Sequence, residues 1–328
     1  MSDLYPLLLI PIFDERPWGV RDLRPIYTKV VMEPIGESWL TWEDNRIANG
    51  PLAGRMLGEV SKQYRRDLVG EAAWYDDRFP LLTKFLFTSA KLSVQVHPDD
   101  EQARKAGQPC GKTECWYALA AKPGAQVALG LKPGTTLQEF EQAIADRRAE
   151  ELLNWVDVHA GDMLYVAAGT VHTIGGGVVL VETQQTSDTT YRLYDYGRPR
   201  ELHIEEGLAA MKLHTNAGKV VRHAGDAPTV LVRSPYFRVE KIRLREPLRA
   251  EVDAASPHVL VVIDGAGIVE SQGMAPISFA TGEAVVIPAA VRDYTMRPQW
   301  ELEIMRMSLP TRPVAEPETT LGQQVSAA

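Results

Sequence analysis

The sequence predicts a mainly β protein built as two barrel- or sandwich-like halves with a few appended helices, and two observations carry that reading. From Gly161 to Leu193, and again from Val230 to Met307, short runs of strand formers alternate with turn residues, as they do in sandwiches and barrels. In addition, two distant segments follow one template: GDMLYVAAGTVH, Gly161 to His172, and GEAVVIPAAVRD, Gly282 to Asp293. Each has a glycine, a run dominated by strand formers, a small or proline turn and then a polar position. An internal repeat of this kind implies two copies of one β unit.

The remaining elements follow in order. The apolar stretch Leu4 to Phe13 is preceded by Asp3 and interrupted by Pro6 and Pro11, with no basic flank or small-residue cleavage site, so it does not read as a signal peptide. From Pro51 to Leu68, the apolar positions Leu52, Met56, Val60, Tyr64 and Leu68 recur every four residues, which predicts an amphipathic helix across that span. Phe79 to Val96 changes to short apolar runs, with alternation at Leu92, Val94 and Val96 that reads as strand. Thr136 and Glu139 form a T-x-x-E capping box for a second helix bearing Leu137, Phe140 and Ile144, expected to end near Val156. The residues after Pro313 have little to bury and are expected to fray.

Composition bounds the function classes. With 328 residues, 45% hydrophobic and 24% charged, the chain falls in the ordinary globular range, and about 150 residues per domain gives about two domains. Against 43 acidic residues stand 35 Lys and Arg, a net charge of −8 that argues against non-specific binding to nucleic acid or anionic lipid. An anionic substrate must therefore meet a local basic cluster. Cys110 and Cys115 form no C-x-x-C pair and are too few for a disulfide framework, which points to a reducing, cytoplasmic compartment. No run approaches the ~20 apolar residues of a membrane-spanning helix.

The repeated template resembles the second signature of the cupin superfamily, G-x5-P-x-G-x2-H, in which a tight turn delivers a histidine into the mouth of a small jelly-roll β-barrel. The first copy keeps Gly161, Gly169 and His172 with Ala167 in place of proline; the second keeps Gly282 and Pro288 but has Ala290 and Asp293 for the later glycine and the histidine. The resemblance thus implies two cupin domains, the second degenerate: a metal-binding catalytic domain over 1–218 with helical insertions, a C-terminal cupin over 219–312, and a flexible tail over 313–328.

A metal constellation can be read beside the repeat. In LSVQVHPDD, Gln95 and His97 are two apart on a predicted strand and so share a face. Glu114 heads the next apolar run and His172 arrives from the turn. Two imidazoles, a carboxylate and an amide oxygen make a mixed N/O donor set that suits Zn²⁺, with Mn²⁺, Fe²⁺ and Co²⁺ as rivals. His159, His203, His214, His223 and His258 have no comparable partners and read as structural or surface residues.

In order along the chain, FPLLTKFL, LSVQVHPDD, GKTECWYAL, AGTVHTIG and ETQQTSDTTYRLYDYGRPRELHIEE, with GESW at Gly36 to Trp39, resemble the type I mannose-6-phosphate isomerases in their short form. The match covers about residues 13 to 210. It implies that Gln95, His97, Glu114 and His172 hold one zinc, that Arg192 is the active-site arginine, and that Asp188, Glu182 and Lys112 line the same cleft. Lys84 and Ser93 match positions that hold the phosphate end of the substrate. The implied activity is the interconversion of mannose 6-phosphate and fructose 6-phosphate through a cis-enediol(ate), with Glu182 and Lys112 as candidates for proton transfer. Trp18, Trp39 and Trp116 read as core or cleft-wall residues. The expected partner is a small phosphosugar, for a monomer or small homo-oligomer. The rival readings are a related isomerase of another hexose, unphosphorylated or differently substituted, and a non-catalytic sugar-binding cupin.

Overall fold

In the computed structural model, which describes residues 3–72, 77–221 and 230–321, the strands form three antiparallel sheets. The first sheet runs in the order Ile12–Asp22, Val30–Trp39, Leu81–Phe87, Val178–Gln185, Glu114–Ala121, Met163–Val166, Gly218–Val220 and Thr319–Thr320. The second runs Tyr191–Tyr194, Val94–Val96, His172–Ile174, Gln126–Leu131 and Leu153–Asp157. These two sheets face each other as the first barrel, packing Leu86, Trp116, Ala118 and Leu180 against Leu92, Val127, Leu129 and Ile174.

The strand Leu81–Phe87 is buried at every position, and the reason is that both of its faces are covered. Leu86 packs into the first barrel. Phe85 and Phe87 belong to a second core, where Tyr117, Tyr165 and Val181 of the same sheet meet Val259, Val261, Met305 and Met307 of the C-terminal unit. The first sheet is therefore shared between two cores, one on each face. In the C-terminal barrel, the inward positions are filled by Leu260, Val262, Phe279, Val285, Ile287, Met296 and Ile304. That interior is packed with apolar side chains where the first barrel keeps a polar mouth.

The internal repeat is visible in the backbone. Gly161 and Gly282 take φ values of +93° and +91°, a region costly for any residue with a Cβ. The Gly161 N–H donates to Ala118 O at 2.8 Å, and the Gly282 N–H to Val262 O at 3.0 Å. Each glycine opens the corresponding strand, Met163–Val166 and Ala284–Ile287. Where the first copy delivers the buried His172, the second places Asp293 near the surface, paired with Arg249 at 3.4 Å.

Two helix expectations need correction. Only Leu57–Tyr64 and Arg66–Val69 of the span 51–68 are helical. Gly54 at φ +84° and Arg65 at φ +46° interrupt the segment, and Leu52 reaches the core from the preceding turn rather than from a helix. The second helix is Leu137–Ala145, with the capping box formed: Thr136 Oγ1 accepts from the Glu139 N–H at 3.2 Å and Glu139 Oε2 accepts from the Thr136 N–H at 2.8 Å. It stops well before Val156, because Arg147 turns left-handed at φ +61° and the chain enters the strand Leu153–Asp157.

Both ends of the chain cross over. Leu7–Leu9 pairs with Ala284–Val286 in the C-terminal sheet, and Thr319–Thr320 pairs with Lys219–Val220 in the first sheet. Of the tail expected to fray, the stretch up to Thr320 is thus tied to the first sheet; 322–328 lie outside the described residues, as does His223.

Candidate metal centre and cleft

The four predicted donors come together at one mouth of the first barrel. Gln95 sits on the short strand Val94–Val96 and registers directly opposite His172. His97 follows that strand, and Glu114 opens the strand Glu114–Ala121 of the facing sheet. His97 Nε2 lies 3.5 Å from Glu114 Oε2, and His172 Nε2 lies 3.4 Å from Glu114 Oε1. All three residues are 1% exposed, and their donor atoms lie within 4.8 Å of one another.

The surroundings orient this set as a cation site would require. His97 Nδ1–H donates to Thr189 O at 2.9 Å and His172 Nδ1–H to Thr170 O at 2.8 Å, which leaves both Nε2 lone pairs aimed at Glu114. Burial, joined by the Lys112 ammonium, holds His97 well below the ordinary imidazole range, and burial takes His172 down to about 4, so both rings are neutral at pH 7. Neither oxygen of Glu114 accepts a hydrogen bond; the Lys112 ammonium lies 3.4 Å from Oε2, while Oε1 faces only the neutral His172 ring, an arrangement costly for a buried carboxylate unless a further cation meets it. The donor set fits a divalent metal. Gln95 Nε2 lies 3.2 Å from His172 Nε2 while Ser93 Oγ donates to Gln95 Oε1 at 3.1 Å. Turning the amide over would bring its oxygen to the same point, and the Ser93 hydroxyl can accept as readily as donate.

Beside the donors opens a cleft of about 360 Å³ lined by Arg16, Lys84, Lys112, Arg192 and Arg200 together with Glu37, Glu182 and Asp188. This is the local basic cluster that an acidic chain needs for an anionic substrate. Lys112 Nζ approaches His97 Nε2 at 3.2 Å and Glu114 Oε2 at 3.4 Å. Lys84 Nζ lies 3.6 Å from both Glu37 Oε2 and Glu182 Oε2 and 4.2 Å from the centre of the Trp39 ring. Burial and the neighbouring Glu114 charge push the Glu182 carboxyl up to about 7, against the pull of Lys84 and Lys112. Trp116 Nε1 donates to Glu182 Oε1 at 3.0 Å, so this core residue holds a carboxylate of the cleft, while Trp18 lines the cleft itself.

Arg192 is held by its NH1 group to Glu201 O at 2.7 Å, while its Nε is buried with no hydrogen-bond partner. It is not the partner of Asp195, which Arg198 and Arg200 occupy at 2.8 and 2.6 Å. Every predicted site residue, including Asp188, thus reaches the donor set or the cleft. The sequence reading missed Arg16, Glu37 and Arg200. Glu37 lay within GESW and Arg200 within ETQQTSDTTYRLYDYGRPRELHIEE without being singled out, and Arg16 carries no local signal.

Comparison with known proteins agrees with this geometry. Residues 23–142 match the profile of the phosphomannose isomerase type I catalytic domain. A probable mannose-6-phosphate isomerase of Bacillus subtilis is 34% identical over 321 residues, covering 92% of this chain and 98% of that protein. The chain belongs to the type I phosphomannose isomerase family. Another relative, the mannose-6-phosphate isomerase of Streptococcus mutans, is 34% identical over 304 residues, 88% of this chain and 94% of that one. The crystal structure of the mannose 6-phosphate isomerase from Bacillus subtilis superimposes with a TM-score of 0.81 at 30% identity, covering 93% and 99% of the two chains. A zinc-bound mannose 6-phosphate isomerase shares the fold at a TM-score of 0.72 and 17% identity, covering 92% and 98%. Among the described residues no helix is long and apolar enough to cross a membrane.

Proposed function

We propose that this chain interconverts mannose 6-phosphate and fructose 6-phosphate with one divalent metal, zinc, held by His97, Glu114, His172 and Gln95. The observation that carries the reading is the buried His97–Glu114–His172 cluster, its imidazoles preset as neutral donors, opening directly onto a cationic cleft. Bound there, zinc would supply Lewis acidity that polarises the sugar carbonyl and stabilises a developing enediolate by several kcal/mol.

The protein's own groups do the rest. Glu182 takes the proton from C2; the C2–H electron pair forms the C1–C2 double bond and the C1 carbonyl electrons move to O1. Glu182 returns a proton to C1 as O2 becomes the ketone, so the C2 proton moves to C1 and one proton passes from O2 to O1. Lys112, placed against the donor set, carries that oxygen-to-oxygen exchange. A carboxyl titrating near 7 both accepts and returns a proton at neutral pH, which is what a reversible isomerase requires. Arg192, with a guanidinium edge not committed to a carboxylate, takes the phosphate end or the enediolate oxygen. Lys84 and Ser93 stand in the same wall, Lys84 already shared between two carboxylates and Ser93 bonded to Gln95. Asp188 is the remaining acidic group of the cleft and balances its cations. The apolar filling of the second barrel supports a catalytic unit over 1–218 and a ligand-free C-terminal unit over 219–312 as to their interiors, while Leu7–Leu9 pairs into the C-terminal sheet and Gly218–Val220 and Thr319–Thr320 into the first.

A coupled assay for fructose 6-phosphate tests the reading on the full chain before and after chelation, with zinc added back. Turnover lost to the chelator and restored by zinc is the expected result. Protein carrying one metal per chain and showing no turnover would overturn the proposed substrate.

A further inference from the structure

The first sheet carries a row of alternating charge that belongs to no single segment. Arg16, Glu37, Lys84 and Glu182 occupy four consecutive strands of the sheet, Ile12–Asp22, Val30–Trp39, Leu81–Phe87 and Val178–Gln185. Each meets the next: Arg16 Nε lies 3.2 Å from Glu37 Oε1, and Lys84 Nζ lies 3.6 Å from Glu37 and 3.6 Å from Glu182. Glu37, Lys84 and Glu182 are buried, whereas Arg16 reaches the cleft rim. Glu37 is held independently of Lys84, because Trp39 Nε1 donates to its Oε2 at 2.6 Å. The ammonium therefore stands midway between two carboxylates, over the Trp39 ring, and is dedicated to neither.

We propose that Glu37 is a positioning residue for the proton transfer at Glu182: by sharing the Lys84 ammonium it prevents Lys84 from closing on Glu182 as a dedicated counter-ion, and so leaves that carboxylate able to take and return the substrate proton. The proposal rests on the isomerase reading for the origin of the proton, whereas the coupling between Glu37 and Glu182 can be measured without substrate. A buried ammonium paired with one carboxylate alone locks it in the ionised form, while a second carboxylate competing for the same ammonium relaxes that lock. The charged groups facing Glu182 are Lys84 and Glu37 on one side and Glu114 and Lys112 on the other. Of these, Lys112 touches the metal donors and Glu114 is one of them, whereas Glu37 makes its contacts with Arg16, Trp39 and Lys84.

The test compares zinc-loaded wild type with Glu37→Gln, which keeps the side-chain size and an acceptor for Trp39 Nε1, and with Arg16→Gln at the rim. Two readouts are taken at equal metal content: the pH midpoint of the Glu182 carboxyl by ¹³C NMR, assigned by its loss in Glu182→Gln, and steady-state kcat and KM. In Glu37→Gln the midpoint is expected to fall by about one pH unit, with kcat on the plateau down by up to about 10-fold and KM nearly unchanged. Arg16→Gln, which leaves Glu37 drawing harder on Lys84, is expected to move the midpoint upward. Opposite shifts are not what a merely structural role produces. An unmoved midpoint, shifts of the same sign, or a loss confined to KM overturns the proposal. Should Glu37→Gln fail to fold, the direction of the Arg16→Gln shift decides. Opposed midpoint shifts in a wild type inactive on mannose 6-phosphate would uphold the coupling and sink the substrate reading instead.

Discussion

Glu182 and Lys84 lie directly opposite each other on neighbouring antiparallel strands, Lys84 Nζ 3.6 Å from Glu182 Oε2, while Trp116 Nε1 holds the other carboxylate oxygen at 3.0 Å. Glu182 is thus fixed at both oxygens and still titrates near neutrality, because burial and the nearby Glu114 charge outweigh Lys84 and Lys112. As the proposed base it would work ionised, and its ionised fraction grows as pH rises through about 7. The rate constant kcat/KM is therefore expected to climb with pH to a plateau above that midpoint. Glu182→Gln is expected to lose about 10²–10⁴-fold in kcat together with the acid limb. A variant that keeps the limb would show that another group is the base.

Glu114 presents two buried oxygens without hydrogen bonds to two neutral imidazoles. Glu114→Gln and His172→Gln are expected to emerge from dialysis without metal, measured by elemental analysis, while wild type keeps one equivalent. Binding that favours the folded state stabilises it by about 4 kcal/mol at a free metal concentration 1,000 times Kd. Chelation is accordingly expected to lower Tm in wild type and to leave the two variants unmoved. An equimolar metal content in either variant would refute this donor set.

Arg192 has a buried Nε without a partner, and Asp195 belongs to Arg198 and Arg200. Arg192→Ala is expected to raise KM for mannose 6-phosphate about 10- to 100-fold, the size of a lost charge-assisted contact, and to leave any turnover of unphosphorylated mannose unchanged. If kcat falls at constant KM, the guanidinium serves the enediolate oxygen and not the phosphate.

His258 lies in the C-terminal unit, its Nδ1 3.1 Å from the Tyr294 hydroxyl. Burial, with Arg306 and Arg238 nearby, holds it neutral down to about 3. The unfolded imidazole titrates near 6.5, so between these values the unfolded chain binds the extra proton. The contribution of His258 is complete above about pH 6.5 and shrinks as pH falls through that window, on the order of a few kcal/mol when fully expressed. Urea unfolding of His258→Gln at pH 7 and pH 5 is expected to show a smaller loss of stability on acidification than wild type. Equal losses in the two proteins would place the acid sensitivity elsewhere.

Much of the site was legible in the sequence for a local reason. Gln95 and His97 share a face because strand side chains alternate, and the repeat placed His172 at the end of a glycine-opened strand and turn. Helix ends were less legible. The four-residue recurrence from Leu52 to Leu68 recorded burial correctly but not conformation, since Arg65 reverses the backbone within it. Val156 is apolar and periodic with the preceding helix, yet it is buried from a strand.

By itself the sequence determined the β class, the duplicated barrel and the four candidate donors, because alternation, capping and turn chemistry act within a few residues. Only the tertiary structure decided which charges meet. Leu81–Phe87 lies between Val30–Trp39 and the distant Val178–Gln185, and those two pairings together set Lys84 between Glu37 and Glu182. The same holds for Asp195, claimed by Arg198 and Arg200 so that Arg192 is left to the cleft, and for the terminal strands that join the sheets of opposite halves. Such pairings depend on strand order and register, which long-range packing sets and no local pattern encodes.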